Sequence, residues 1–363
     1  MSEILVQNLK KYYENVKAVD GIDLKIKNGE LVVLLGPSGC GKTTTLRCIA
    51  GLEAPTEGAI FFDEKNVTRL TPSDRNVGMV FQFYALYPHL RVRDNITFPL
   101  RAQRVPRSQI DEKLKQVVMI FQLENLLKRK ARDLPPGDQQ RVALARAIVR
   151  DPKVLLLDEP LSALDEKFRE EMRSELGSLQ KRIGITTVYV THDQREAMAL
   201  GDVIVVMKEG EIVQRGLPEE LYEHPKSVFV GHFLGTPGMN FINVVYQNNL
   251  IQIEGTDLSI PVKKGDLEAR LRPYQEKSLI IGIRPEYVEV VKKSDIDGYL
   301  TLNVMTIEPS GRFRLVDFLL GERVFRARIN WDLTISEGQK IHMRFREDKI
   351  CIFDRQTEKA LIS

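Results

Sequence analysis

The chain has 363 residues, 43% of them hydrophobic and 28% charged, which is typical of a globular protein with room for two or three domains. Its formal net charge of +3 is nearly balanced, so charge gives no strong case for a nucleic-acid partner or for an acidic one. Three cysteines without paired or metal-type spacing predict a reducing compartment. The sequence shows neither a signal-peptide pattern nor an apolar run of roughly 18 to 20 residues, so any membrane association is expected to depend on a partner protein.

Short apolar runs alternate with helical patterns from residue 1 to about 230, which predicts a parallel sheet covered by helices. Strands buried on both faces are apolar without alternation, and the clearest such runs are "LVVLLG" (31–36), "VLLLD" (154–158) and "TTVYVTH" (186–192). Residues 83–150 interrupt this order with a mostly helical pattern, which indicates an inserted subdomain. Residues 166–183 predict a helix whose core-facing side chains recur at helical spacing: Phe168, Met172, Leu176, Leu179 and Ile183.

The segment "GPSGCGKT" (36–43) lies between the first of these strands and a helical pattern, and it matches the phosphate-binding loop G-x-x-x-x-G-K-[ST]. Gly36, Gly39 and Gly41 allow the backbone to wrap a phosphate so that successive N–H groups point inward. Lys42 is placed to reach the β and γ phosphates of a nucleotide, and the Thr43 hydroxyl is placed to bind Mg²⁺. The sequence therefore predicts a nucleotide site at the end of this strand.

Two other predicted strands end in residues suited to phosphate chemistry. Asp158 can hold the Mg²⁺ shell, and Glu159 beside it can polarise an attacking water as a general base. His192 ends the strand "TTVYVTH", at the edge where open α/β sheets bind their ligands. Asp193 and Glu196 resemble a capping box, which predicts the start of the next helix.

Together these motifs resemble, over residues 3–235 and in the same order, the ATP-binding subunits of ABC transporters. The resemblance implies that Tyr13 in "KKYYENV" stacks on adenine and that Gln82 in "VGMVFQ" senses Mg²⁺ and the γ-phosphate. It also implies that Asp165, at the end of the D-loop "LSALD", contributes to nucleotide binding. It makes Glu159, His192 and Gln82 the catalytic residues, and Thr43, Gln82 and Asp158 the metal-binding ones. The nucleotide contacts of the Walker A loop are expected from Gly36, Pro37, Ser38, Gly39, Cys40, Gly41, Lys42, Thr43 and Thr44.

The family's signature motif, L-S-G-G-Q, is altered in this chain. Its place is taken by Leu134, Pro135, Pro136, Gly137 and Asp138. The resemblance implies that each signature completes the ATP site of a second cassette with a serine hydroxyl and backbone N–H groups. Pro135 has no hydroxyl and Pro136 has no N–H, whereas Gly137 keeps its own. Proline and aspartate suit the first turn of a helix, so the helix is expected to form while its phosphate contact is weakened.

Beyond about residue 236, short alternating segments such as "SLIIGIRPEYVEVV", "RVFRARIN" and "KICIFD" predict one or two small β-barrels. Turn formers cluster in "GTPGMN" (235–240), which predicts a cassette over 1–235, with its helical subdomain at about 83–150, and a barrel domain over 236–363. The second part resembles the regulatory domain of importer ATPases for sugars and related solutes. Its arginines and aromatic residues leave an oligonucleotide-binding barrel as the alternative. The expected fold class is thus an α/β P-loop cassette with an inserted helical subdomain, followed by an all-β, OB-like domain.

The function implied by this resemblance is that of an ATP-binding and hydrolysing subunit of an importer for sugars or related solutes, with ATP and Mg²⁺ bound. The expected partners are a second ATP-binding subunit, identical or different, integral membrane permease subunits and, indirectly, an extracytoplasmic solute-binding protein, with no nucleic acid. The expected location is the cytoplasmic face of the cell membrane. The alternative is a nucleotide-gated clamp or regulatory subunit that hydrolyses ATP weakly because of its "LPPGD" signature.

Overall fold

A computed structural model describes residues 2–291, 300–321 and 323–362 of the chain. The chain forms two compact units, Met1–Pro218 and Glu219–Ser363. No helix within the described ranges combines the length and the apolar character needed to cross a membrane.

The first unit alternates strands and helices along the chain. Its strands are β1 Ile4–Tyr13, β2 Val16–Ile26, β3 Leu31–Leu35, β4 Glu57–Phe62, β5 Lys65–Asn66, β6 Val77–Val80, β7 Val154–Asp158, β8 Thr186–Thr191, β9 Val203–Lys208 and β10 Glu211–Gly216. Its α-helices are α1 Lys42–Ala50, α2 Pro72–Arg75, α3 Val92–Ala102, α4 Arg107–Phe121, α5 Pro136–Ile148, α6 Glu166–Ile183 and α7 Gln194–Leu200, and Glu124–Leu126 and Ala131–Asp133 form 3₁₀ turns.

The central sheet of this unit has the order β10-β9-β3-β8-β7-β6, in which all strands but β10 run parallel. Every residue of β3, β7 and β8 is buried, as their continuous apolar sequences predict. A second, antiparallel sheet, β2-β1-β4-β5, shares a core with the central one, in which Ile4 and Ile60 join Leu34 and Val188. Because the strands are parallel, β3, β6, β7 and β8 all end at the same edge of the sheet.

The inserted subdomain lies between β6 and β7, but its helices begin only at Val92. Residues 83–91 form no helix, and Tyr84 and Ala85 have left-handed backbone conformations with φ of 58° and 48°. Such φ angles are incompatible with a helix, which explains why the helical pattern starts later than predicted.

Helix α6 spans the predicted residues 166–183, but its first predicted core residue is not in the core. Met172, Leu176 and Leu179 are buried, whereas Phe168 is 49% exposed. The prediction for Phe168 was therefore wrong, because the first turn of α6 lies beside the start of α5 and not over the central sheet. Phe168 and Met172 instead line a groove of about 460 Å³ together with residues 135–138.

The second unit is built from antiparallel strands with short helices. Its strands are β11 Asn240–Gln247, β12 Leu250–Ile253, β13 Ser259–Pro261, β14 Ser278–Ile283, β15 Val288–Val291, β16 Leu300–Ser310, β17 Phe313–Leu320, β18 Arg323–Asn330, β19 Lys340–Phe345, β20 Cys351–Asp354 and β21 Ala360–Ile362. Its helices are α8 Pro218–Glu223, α9 Val228–Phe233 and α10 Asp266–Leu271, with 3₁₀ turns at Arg272–Tyr274, Pro285–Tyr287 and Glu347–Lys349. The two sheets, β13-β12-β11-β14-β20-β21 and β15-β19-β16-β17-β18, bury one common apolar core.

The division between the units falls after Pro218, upstream of the boundary predicted near residue 235. Arg284, which follows β14 and is 1% exposed, explains the difference. Its guanidinium donates to the carbonyls of Tyr222 and Gly231 at 2.7 and 2.9 Å, and also to that of Leu234. By donating hydrogen bonds to these carbonyl groups, the buried arginine holds α8 and α9 in the second unit.

We expect a chain ended after residue 235 to carry α8 and α9 as loosely held segments, because it lacks Arg284. Hydrogen exchange followed by mass spectrometry should show the amides of 219–233 protected in the full chain and exchanging rapidly in the shortened one. A chain ended after Pro218 serves as the control, and its remaining residues should exchange as they do in the chain ended after residue 235. Persistent protection of 219–233 in the longer truncation would contradict this assignment.

Candidate nucleotide-binding site

The loop of residues 36–41 joins β3 to α1 in a conformation that requires glycine. Gly41 has φ of 100°, and a Cβ atom there would lie 2.3 Å from the carbonyl oxygen of Ala18. A Cβ on Gly36 would lie 2.3 Å from the carbonyl oxygen of Met207. The Lys42 ammonium, on a side chain that is nearly buried, donates to the carbonyls of Gly36 and Pro37, both at 2.8 Å. The backbone of the loop therefore closely surrounds a cationic side chain, as a phosphate-binding site requires.

Thr43 and Asp158 meet between α1 and the end of β7. The Thr43 hydroxyl donates to the Asp158 carboxylate at 3.0 Å. Asp158 is buried, and this burial raises the pKa of its carboxyl, while the Thr43 hydrogen bond opposes the rise. A hydroxyl and a carboxylate oxygen at this separation are hard oxygen donors of the kind that Mg²⁺ prefers, so these residues fit the expected metal.

Glu159 lies between the two other residues predicted to be catalytic. Its Oε2 is 3.2 Å from Nδ1 of His192 and 3.4 Å from Nε2 of Gln82. These residues follow β7, β8 and β6, so the shared edge of the parallel sheet brings them together. Glu159 itself has a left-handed backbone, with φ of 46°, an unusual conformation for a residue with a side chain.

Sequence reasoning missed Ser162, which supports the backbone of Glu159. The Ser162 hydroxyl donates to the Glu159 carbonyl at 2.8 Å, and the Glu159 N–H donates to the Val190 carbonyl at 3.0 Å. These bonds hold the left-handed turn in place. The available signal was a serine three residues after the acid in "DEPLS", a spacing that suits a hydroxyl-to-backbone bond.

The remaining predicted nucleotide contacts lie on different parts of the first unit. Tyr13 ends β1 with 41% of its surface exposed, and the Lys11 ammonium lies 4.7 Å from its ring centroid. Pro37, Ser38 and Gly39 form the exposed outer part of the loop, Cys40 is buried, and Thr44 lies half-buried in the first turn of α1. Asp165 caps α6 by accepting a bond from the Phe168 N–H at 3.1 Å.

The altered signature forms the start of a regular helix. Leu134 is buried, Pro135 occupies the N-cap position without a side-chain bond, and α5 begins at Pro136. The Asp138 carboxylate lies in the first turn, 3.7 Å from the Arg141 guanidinium. Arg141 also donates to Glu175 on α6 at 3.0 Å. The prolines therefore preserve the helix, and a carboxylate occupies the end of the helix that would otherwise attract an anion.

The capping box predicted at the start of α7 is only half formed. Asp193 caps the helix, and its carboxylate accepts bonds from the N–H groups of Arg195 and Glu196 at 2.7 and 3.3 Å. The Glu196 carboxylate does not return to the Asp193 N–H, because that N–H donates to the Thr191 hydroxyl at 2.9 Å.

The edge of the parallel sheet carries a lysine surrounded by a glycine-rich loop, a threonine–aspartate pair, and a glutamate between a glutamine and a histidine. This combination defines a P-loop nucleotide-binding cassette. Comparison with known proteins agrees with this class. The sequence profile of the ABC transporter family matches residues 19–162, and that of the MalK OB fold domain matches residues 235–288.

Three known proteins illustrate the relationship. The trehalose/maltose import ATP-binding protein MalK of Thermococcus litoralis is 42% identical over 372 residues, covering 99% of this chain and 100% of that protein. The sn-glycerol-3-phosphate import ATP-binding protein UgpC of Vibrio vulnificus is 42% identical over 363 residues, covering 99% of this chain and 95% of that protein. The dimeric ATP-binding cassette MJ0796, solved with ADP and Pi, is 32% identical with a TM-score of 0.52, covering 59% of this chain and 98% of that one.

The chain therefore belongs to the ABC transporter family, as an ATP-binding subunit of the sugar and glycerol-phosphate importer type that binds and hydrolyses ATP. The predicted fold class, an α/β cassette with an inserted helical subdomain and an OB-like all-β domain, is confirmed.

Proposed function

We propose that this chain hydrolyses Mg-ATP at the edge of its central sheet to drive import of a sugar or a polyol-phosphate-like solute through membrane permease subunits. It works at the cytoplasmic face of the membrane, and an extracytoplasmic solute-binding protein delivers the solute to the permease. The observation that supports hydrolysis is the position of the Glu159 carboxylate between Gln82 and His192, directly after Asp158, which bonds Thr43.

In the proposed reaction, Lys42 and the backbone N–H groups of residues 36–43 hold the β and γ phosphates, and Tyr13 stacks on the adenine. Thr43, Asp158 and Gln82 would hold Mg²⁺, which supplies charge neutralisation to the phosphates when bound. Glu159 accepts a proton from a water as the water oxygen forms a bond to the γ-phosphorus. The bond to the β–γ bridging oxygen breaks, and ADP leaves with that oxygen. His192 orients Glu159 and the γ-phosphate.

A groove between β6 and the inserted subdomain supports the proposed permease contact. Its volume is about 390 Å³, and its lining includes Phe81, Tyr87, Phe98, Arg146 and Arg150. Arg146 donates to the carbonyls of Tyr84 and Ala85 at 2.8 and 2.7 Å, and so holds the left-handed turn that follows Gln82. Aromatic side chains beside arginines suit a permease segment with apolar and acidic residues.

The signature geometry favours a second candidate function, a nucleotide-gated subunit that hydrolyses ATP weakly as a homodimer. Its support is the Asp138 carboxylate and the two prolines at the start of α5, which together replace phosphate donors with a negative charge. In this case the chain pairs with a second cassette that bears an ordinary signature. The nucleotide on this chain's own loop is then hydrolysed normally, and the nucleotide on the partner's loop is hydrolysed slowly.

Lys42→Ala tests ATP binding, which both candidate functions share. The ammonium makes charge-assisted bonds to the phosphates worth about 1.5 to 3 kcal/mol, so the Kd for Mg-ATP should rise about 10- to 150-fold. Equilibrium titration with a fluorescent ATP analogue measures the change. Lys167→Ala, which removes an exposed lysine on α6, is the matched control and should leave the Kd unchanged. Equal affinities in the two variants would remove the basis of the assignment.

A further inference from the structure

Glu196 is a buried carboxylate for which the proposed hydrolytic mechanism has no use. It is 3% exposed, and its Oε2 accepts bonds from the Tyr189 hydroxyl at 2.8 Å and the Thr191 hydroxyl at 2.7 Å. Burial raises the pKa of this carboxyl, an effect that the two hydroxyl donors oppose. Burying an ionisable group is unfavourable unless its partners compensate, so a carboxylate at this position needs a reason.

Helix capping does not supply that reason. Asp193 caps α7 by itself, and the Glu196 carboxylate points away from the cap toward the end of β8. Asp193 also lies 3.7 Å from the guanidinium of Arg169, so a cation balances the charge of the capping carboxylate.

The Thr191 hydroxyl links the two sides of His192. It donates to Glu196 and accepts a bond from the N–H of Asp193 at 2.9 Å, so it ties the residue before His192 to the residue after it. Thr191 is 2% exposed, whereas the His192 side chain is 56% exposed. Packing around Thr191 therefore fixes the conformation of this turn. The fixed turn directs the exposed imidazole of His192 toward Glu159.

We propose that Glu196 is a positioning residue for ATP hydrolysis: through the Thr191 hydroxyl it holds the turn that places His192 against Glu159. This inference rests on the proposed roles of His192 and Glu159. The Tyr189 hydroxyl donates to the same carboxylate oxygen but belongs to the interior of β8, so its loss leaves the bond between Glu196 and the turn in place.

The test compares steady-state ATP hydrolysis by the full chain and four variants. Misplacing a catalytic group by about 1 Å can lower turnover on the order of 100-fold, so Glu196→Ala and Thr191→Val should lower kcat about 10- to 100-fold. The affinity for Mg-ATP should stay within about twofold, because the side chains of Thr191 and Glu196 bond to each other, to Tyr189 and to the Asp193 N–H, and not to the phosphate loop. Thr191→Ser keeps the hydroxyl and should restore kcat.

Tyr189→Phe is the matched control, since it removes the other bond to the same oxygen of Glu196. It should lower thermal stability and leave kcat within about twofold of the unsubstituted chain. Equal kcat values in Thr191→Val and the unsubstituted chain, or equal losses in Tyr189→Phe and Thr191→Val, would overturn the proposal. If Glu196→Ala does not fold, the comparison of kcat between Thr191→Val and Thr191→Ser still tests the proposed positioning role.

A second measurement follows His192 directly. Nuclear magnetic resonance of the histidine side chains, with the His192 signal assigned by its loss in His192→Gln, should show that signal shifted in Thr191→Val and unshifted in Tyr189→Phe. A signal at the same position in all three proteins would also overturn the proposal. Absence of ATP hydrolysis in the unsubstituted chain would instead contradict the proposed function, so the two failures are distinguishable.

Discussion

Restoring an ordinary signature, by Pro135→Ser, Pro136→Gly and Asp138→Gln together, should raise ATP turnover by the homodimer about 100- to 10,000-fold. Two lost donors to a charged phosphate would each cost about 1.5 to 3 kcal/mol in the transition state, or roughly 3 to 6 kcal/mol together. Each factor of ten in rate corresponds to about 1.4 kcal/mol. The measurement is the release of phosphate by purified protein at saturating Mg-ATP.

The control for this substitution is Pro106→Ser, which changes the N-cap proline of α4 in the same helical subdomain. It should leave turnover unchanged. If the repaired and original proteins turn over ATP at the same rate, the N–H of Gly137 and its neighbours suffice, and the second candidate function is discarded. A rate gain in the triple variant alone favours a natural partner that has an ordinary signature.

Glu159→Gln should keep ATP binding and lower hydrolysis about 100- to 10,000-fold, the range that general-base catalysis contributes. The amide preserves the shape of the carboxylate, so the contacts near Gln82 and His192 persist, but it cannot accept a proton from water. Dimers held together by ATP should accumulate, because hydrolysis no longer separates them. Phosphate release measures the first effect, and size-exclusion chromatography with ATP measures the second.

Glu170→Gln provides the comparison, since Glu170 is a highly exposed glutamate on α6. It should change neither turnover nor association. Undiminished hydrolysis in Glu159→Gln would contradict the role of Glu159 as the base, and a chain that stays monomeric with ATP bound would contradict the proposed pairing of two cassettes.

The sequence alone determined the family, the fold class and the order of the motifs along the chain. This was possible because the information is local: buried parallel strands are continuously apolar, and "GPSGCGKT" matches the phosphate-binding loop in the strand-to-helix context that this loop needs. Since the carboxyl ends of parallel strands share an edge, the approach of Gln82, Glu159 and His192 follows from strand assignment. Their chemical roles remain predictions that the substitutions above test.

Only the tertiary structure decided which side chains support that edge. Glu196 looks like a capping residue in the sequence, yet its partners are Tyr189 and Thr191 on the preceding strand. Likewise, Phe168 follows the helical period of the core but lies at an end of α6 that the central sheet does not cover.

The extent of the second unit was decided in the same way. The carbonyls of α8 and α9 are satisfied by Arg284, far along the chain, and turn residues near 235 carry no sign of it. A local sequence pattern determines the hydrophobic period of a helix or strand and the residues at which it begins and ends. The partner that a buried polar group finds depends on which distant segment folds against it, and that information exists only once the chain has folded.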